Sequence, residues 1–197
     1  MLKVAITGNI ASGKSEVEKM LLNMGFKVAD TDKINHFILM SDYSAILEIK
    51  NAFKEDDILD DGGAISREKL GRVVFSSLDK KLKLEEILHK RIFQKVEEFF
   101  KENEAKEFVF VSIPLLFETN QQGMFDKIIF VSADEDIRVE RLIKRNNYTR
   151  EYALERMHSQ GDELEKIKKS DFVIYNNSDF LKLKSQVKSV LEELINL

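Results

Sequence analysis

The chain has 197 residues, no cysteine, one proline and a net charge of −4, with 43% hydrophobic and 34% charged residues. That length suits one domain with room for an inserted subdomain, able to bury roughly 70% of its unfolded surface without a covalent staple. The composition excludes a disulfide framework, a thiolate metal site, a cysteine nucleophile and a generally basic nucleic-acid surface. Apolar runs reach only about six residues, far short of a membrane-spanning helix. The segment MLKVAIT lacks the long apolar core and small-residue cleavage site of a signal peptide. A cytoplasmic globular protein that binds neither membrane nor nucleic acid is expected.

Leu2–Thr7 is apolar almost throughout, the pattern of a strand buried on both faces of a parallel sheet. Val17, Met20, Leu21 and Met24 then recur at helical spacing, and Gly25 ends the run. Phe26–Ala29 reads as a short second strand. From Asp32 to about Lys106 the apolar residues keep helical spacing, as in Leu84, Ile87, Leu88, Ile92, Val96 and Phe99. This predicts a helical insertion, with a turn at Asp60, Asp61, Gly62 and Gly63. Phe108–Ile113 and Ile128–Ser132 read as core strands, Asp134–Arg145 and Arg150–Gln160 as polar helices, and Phe172–Tyr175 as a fifth strand. Val187, Val190, Leu191 and Leu194 mark a closing helix. Strands alternating with helices predict an α/β fold with a mainly parallel sheet.

Gly8-Asn9-Ile10-Ala11-Ser12-Gly13-Lys14-Ser15 fits G-x-x-x-x-G-K-[ST] and sits between the first strand and the first helix, where that motif acts as a phosphate loop. Its glycines let backbone N–H groups converge on phosphate oxygens, and the helix N-terminus adds partial positive charge. Lys14 is expected to reach the β- and γ-phosphates of a nucleoside triphosphate and Ser15 to ligate Mg²⁺. Gly8, Ala11, Ser12, Gly13 and Glu16 complete the expected nucleotide site, with Ala11 accommodated at a negative φ.

No asparagine is followed by lysine, so the guanine-reading N-K-x-D of a GTPase is absent, and 197 residues are too few for a helicase or transporter ATPase. A small-molecule kinase fits best. Asp30 and Asp32 follow the second strand at the carboxyl end of the sheet, where ligands bind. Two carboxylates at i and i+2 there suit a proton acceptor near the γ-phosphate and a partner for metal-bound water; the alternative for Asp32 is to cap the next helix. Arg138, Arg141 and Arg145 share one helical face, and a basic cluster here suits a lid that closes over the triphosphate. The alternative is a solvated helix face. His36, His89 and His158 are too far apart in sequence to form a metal motif.

Taken in order, GNIASGKS, VADTD, GGAISREKLGRVVF, LEEILHKRI, IPLLFE, RVERLIKR, RMHSQ and SDFVIYNN resemble the dephospho-coenzyme A kinase family over nearly the whole chain. The resemblance implies a phosphate-loop nucleoside triphosphate hydrolase fold: a five-stranded parallel sheet flanked by helices, with a helical acceptor domain and a lid. It implies a core of 1–32, 107–137 and 161–197, an acceptor-binding insertion at 33–106 and a lid at 138–160. The implied reaction moves the γ-phosphoryl of ATP, with Mg²⁺, to the ribose 3′-hydroxyl of dephospho-coenzyme A. Asp32 matches the family's presumed base. Arg141 and Arg145 match its lid arginines, Arg156 and Gln160 the motif after them, and Asn176 and Asn177 the segment near the adenine.

Acceptor contacts are implied for His36, His89, Pro114, Leu115, Leu116 and Glu118, and Arg67 and Leu70 match a turn and helix start. The chain departs from the family pattern at His36, where arginine is usual, and at Ser112, where many relatives have aspartate. Ala11, Lys90 and Ser178 also differ from the usual residues. The implied protein is a monomer or a weak homo-oligomer. Readings kept beside this one are a kinase for another small metabolite, such as a nucleoside monophosphate or sugar acid, and a nucleotide-binding switch without acceptor chemistry.

Overall fold

The computed structural model describes residues 1–196, and the chain divides into two compact units. The first comprises 1–30 and 103–197, the second Thr31–Glu102. The helical unit therefore starts two residues earlier and ends four residues earlier than the sequence boundary of 33–106.

The first unit is built on β1 (Leu2–Gly8), β2 (Lys27–Asp30), β3 (Phe108–Ser112), β4 (Lys127–Ser132) and β5 (Phe172–Tyr175). They lie in the order β2-β3-β1-β4-β5, every pair parallel. β3 is buried at all five positions, as a strand with neighbours on both sides and layers on both faces must be. On one face pack α1 (Lys14–Asn23) and α9 (Phe180–Ile195). Val17, Met20 and Leu21 of α1 join Leu183, Val187, Val190, Leu191 and Leu194 of α9 in one core with β1, β3 and β4. Helix α1 closes in a Schellman turn, Gly25 N–H donating to Leu22 O and Phe26 N–H to Leu21 O.

Between β4 and β5 run α6 (Glu135–Asn146), α7 (Arg150–His158) and α8 (Glu163–Lys168). Val139 and Leu142 of α6 pack on Ala153 and Met157 of α7, with Ile10 and Ala11 of the glycine-rich loop against them. Thr149 caps α7 and Asp162 caps α8 by accepting first-turn backbone N–H groups. The six-residue α8 had no counterpart among the expected elements, because one and a half turns are too short to display a period.

The second unit holds α2 (Thr31–Ser41), α3 (Tyr43–Ala52), α4 (Arg67–Phe75) and α5 (Leu78–Glu102). Ile38, Ile49, Phe53, Ile58, Leu70 and Leu88 lie within its own core. Asp42 caps α3 and Ser66 caps α4. The expected turn is present: the Asp60 carboxylate accepts from the N–H groups of Gly62 and Ala64, and Leu59 pairs with Ile65.

Candidate active site

The loop from Gly8 to Ser15 leaves the carboxyl end of β1 and enters α1, and its two glycines are required by close approach. A Cβ on Gly8 would lie 2.4 Å from Val131 O; one on Gly13, which has φ +96°, would lie 1.9 Å from Asn176 Nδ2. That Asn176 amide is buried and donates to Ser12 O at 2.9 Å. Gly13→Ala therefore combines left-handed strain with loss of a buried hydrogen bond, and is expected to cost about 2–4 kcal/mol. Gly71 lies inside α4 with open space at its Cβ. Gly71→Ala is expected to add roughly 0.5–1 kcal/mol. Chemical denaturation of the two variants checks both signs.

Ala11 corrects one expectation: its φ is +62°, not negative. Left-handed backbone costs a non-glycine residue about 1–2 kcal/mol. Arg141 offsets that cost. Its Nη1 donates to Ala11 O at 3.0 Å and to Ser12 O at 3.1 Å, and its Nη2 donates to Asn176 O at 2.9 Å. Burial pulls the Arg141 guanidinium below its ordinary pKa, though an arginine stays charged in a protein.

The three arginines expected on one lid face have three different settings. Arg141 is docked on the loop. Arg138 is buried and pairs with Glu163 at 2.9 Å, its Nε and Nη1 without a partner among the described residues. Arg145 is exposed at the end of α6, its Nε donating to Asn146 Oδ1. Helical spacing set their directions along α6, but the loop and α8 decide which are covered. Arg156 is exposed on α7.

Lys14 Nζ lies 2.9 Å from Glu18 Oε1 and also donates to Ser112 Oγ. The Lys14 and Ser15 amides open α1, where geometry leaves N–H groups without intrahelical acceptors. Ser12 Oγ is buried and has no partner among the described residues. The cradle walled by Gly8 and Gly13, this hydroxyl and the helix N-terminus together fit the phosphates of a nucleotide. Ser15 and Glu16 are exposed, and Glu16 pairs with Lys19.

A polar network unseen in the sequence braces the other side of the loop. Asn9 donates to Glu163 and accepts from Lys166 Nζ, each at 3.0 Å, while Gln160 Oε1 accepts the Ile10 N–H at 2.6 Å. Glu163 also accepts from Ser132 Oγ and pairs with Arg138; Lys166 pairs with Glu118. Asn177, expected near the adenine, exchanges hydrogen bonds with Asp134.

A family model described as dephospho-CoA kinase matches residues 2–182. The chain belongs to the dephospho-CoA kinase family. The dephospho-CoA kinase of Listeria innocua is 36% identical over 197 residues, covering 98% of this chain and 97% of its own. A dephospho-CoA kinase structure from Campylobacter jejuni superposes with a TM-score of 0.77 at 31% identity, covering 99% of this chain and 98% of its own. The Thermus thermophilus protein TT1252 does so with a TM-score of 0.83 at 33% identity, covering 98% and 97%.

The family-matched acceptor residues fall in both units. In the first, Pro114 is half-buried and Leu115 exposed, but Leu116 is wholly buried. Leu116 thus packs in the core. In the second, His36 is exposed and its Nδ1 lies 3.0 Å from Arg67 Nη1. Because arginine only donates, His36 accepts and carries its proton on Nε2. The Arg67 fork thereby stands beside the position where the family usually has arginine. His89 is half-buried, edge-on to Phe93. Asp32 is exposed in the first turn of α2, which begins at Thr31, so it is not the residue preceding that helix. A groove of about 640 Å³ lies between α3 and α5. Its basic Lys83, Lys90 and Arg91 are partly offset by Glu48 and Glu86, with Arg91 paired to Glu48.

Proposed function

We propose that this chain transfers the γ-phosphoryl of ATP to the ribose 3′-hydroxyl of dephospho-coenzyme A, giving coenzyme A and ADP in the cytoplasm. The observation that carries the reading is the braced loop: Gly8, Gly13 and the α1 N-terminus form a phosphate cradle with Lys14 at its edge, in a chain of this family. Loop amides and Lys14 hold the phosphates in line, which is most of what a phosphoryl transfer needs from a protein.

Mg²⁺ is expected to enter with the nucleotide. No cluster of three or more His, Cys, Asp or Glu among the described residues could hold a metal. The exposed Ser15 hydroxyl suits an ion that keeps waters and phosphates and takes one or two protein ligands. When bound, the ion neutralises charge on the β- and γ-phosphate oxygens.

Asp32 is the base or orienting group for the hydroxyl. β2 ends at Asp30, level in register with Ser112, which touches Lys14. Two further residues of chain keep the Asp32 Cα within about 7 Å of that strand end. Arg67 and His36 offer polar contacts to the acceptor.

Helices α6 and α7 serve as the lid. Arg145 is the exposed cation that closure delivers to the moving phosphoryl, and Arg141 holds the loop. Arg145→Ala is expected to lower kcat about 10-fold or more with the melting temperature unchanged. Arg141→Ala is expected to lower both kcat and melting temperature, since Ala11 O and Asn176 O lose a side-chain donor and Ser12 O keeps only Asn176 Nδ2. Steady-state kinetics beside thermal melts separate the two roles; unaltered kcat at both positions would leave Arg141 a structural brace and Arg145 a solvated cation.

The reading is tested by screening ADP release from Mg-ATP against dephospho-coenzyme A, AMP, CMP, shikimate and gluconate. Release stimulated by dephospho-coenzyme A alone is expected. Stimulation by one of the others would favour a different metabolite kinase, and tight ATP binding without release would favour a switch.

A further inference from the structure

The first helix carries a buried acid for which packing gives no reason. Glu18 lies on the face of α1 that otherwise presents Val17, Met20 and Leu21 to the core, and it is only 4% exposed. A carboxylate there is strongly unfavourable unless paired and hydrogen-bonded. Its compensation is specific. Glu18 Oε1 accepts from Lys14 Nζ one turn earlier and from Ser112 Oγ at the end of β3, while Ser112 Oγ also accepts from Lys14 Nζ. The three groups close a triangle on the one cation that the loop motif supplies.

We propose that Glu18 is a positioning residue for Lys14, acting together with Ser112. An ammonium has three N–H donors in tetrahedral arrangement. Glu18 and Ser112, hydrogen-bonded to each other, hold it from one side and so fix which way its remaining N–H points. That N–H is left for a phosphoryl oxygen. The proposal rests on the reading of Lys14 as the phosphate-contacting cation and adds what aims it.

Glu18 also sets a balance between binding and chemistry. A carboxylate 2.9 Å from the ammonium already shares its charge, so it weakens the pull of Lys14 on any resting phosphate. What it contributes is alignment, which matters most in the transition state. Losing Glu18 should therefore slow turnover without loosening the nucleotide. A residue that merely packed α1 against the sheet would do neither.

The test is Glu18→Gln, which keeps size and one acceptor oxygen but removes the charge, read by kcat, KM for ATP and ADP affinity. A fall in kcat of about 10-fold or more is expected, with ADP bound as tightly as by the wild type or tighter. Glu18→Gln combined with Ser112→Asp returns a carboxylate to the same ammonium from β3 and should recover most of the lost kcat. Should Glu18→Gln fail to fold, Ser112→Ala removes the second contact and is expected to reduce kcat several-fold with KM for ATP unchanged. Lys14→Ala runs beside them. If it is inactive while kcat per folded molecule stays within twofold of wild type in every Glu18 and Ser112 variant that folds, the positioning role is overturned and Lys14 keeps its own. Normal turnover by Lys14→Ala would overturn the reading on which the proposal rests.

Discussion

Lys14→Ala is expected to cut turnover with Mg-ATP by roughly 10²–10³-fold per folded molecule, because one preorganised donor at a developing charge is worth about 3–4 kcal/mol. Two losses combine in this variant and must be separated. Lys14 is the partner of buried Glu18, so its removal strands a carboxylate in the core, at a cost in stability of about 3 kcal/mol or more. Measured turnover has therefore to be divided by the folded fraction from a melt in the same buffer. Turnover close to wild type after that correction would mean that Gly8–Ser15 is a strand-to-helix corner of ordinary kind and that the phosphates sit elsewhere.

Asp32→Asn is expected to lower kcat by about 10²-fold or more, the scale of general-base assistance to a poorly nucleophilic hydroxyl. ATP affinity should barely change, since the loop supplies it. Asp32 lies in the first turn of α2, where losing its negative charge costs the helix only about 0.3–1 kcal/mol. Folding should survive. A folded Asp32→Asn that turns over within a few-fold of wild type would reduce Asp32 to a favourable charge at a helix start, and Asp30, at the end of β2, would be the next acid to test.

What the sequence made legible was what repeats locally. β3 and β4 are runs of Phe, Val and Ile that only a doubly covered strand explains, and both lie within a residue of the expected bounds. The glycine loop and α1 carry their own punctuation in Gly8, Gly13 and Gly25. The bracing of the loop does not repeat. Asn9 meets Glu163 and Lys166 from more than 150 residues away, and Arg141 reaches Ala11 across 130. In sequence, Glu163 and Lys166 look like an ordinary solvated pair on a polar stretch.

Glu18 was equally hidden, because a lysine and an acid four residues apart make an ordinary surface pair on a helix. Only the burial of that α1 face turns it into a partner for Lys14. Ala11 shows the same limit at the backbone. Its positive φ follows from the loop's closure under Arg141, not from anything in alanine's own preferences.

In the proposed reaction, phosphoryl passes from ATP to one hydroxyl of dephospho-coenzyme A. Phosphorus NMR of the products formed from Mg-ATP and dephospho-coenzyme A tests it most directly. ADP and a new ribose 3′-phosphomonoester are expected in equal amounts, both formed about 10²-fold more slowly by Asp32→Asn. ADP accompanied by inorganic phosphate, or a phosphomonoester at any other position, would contradict it.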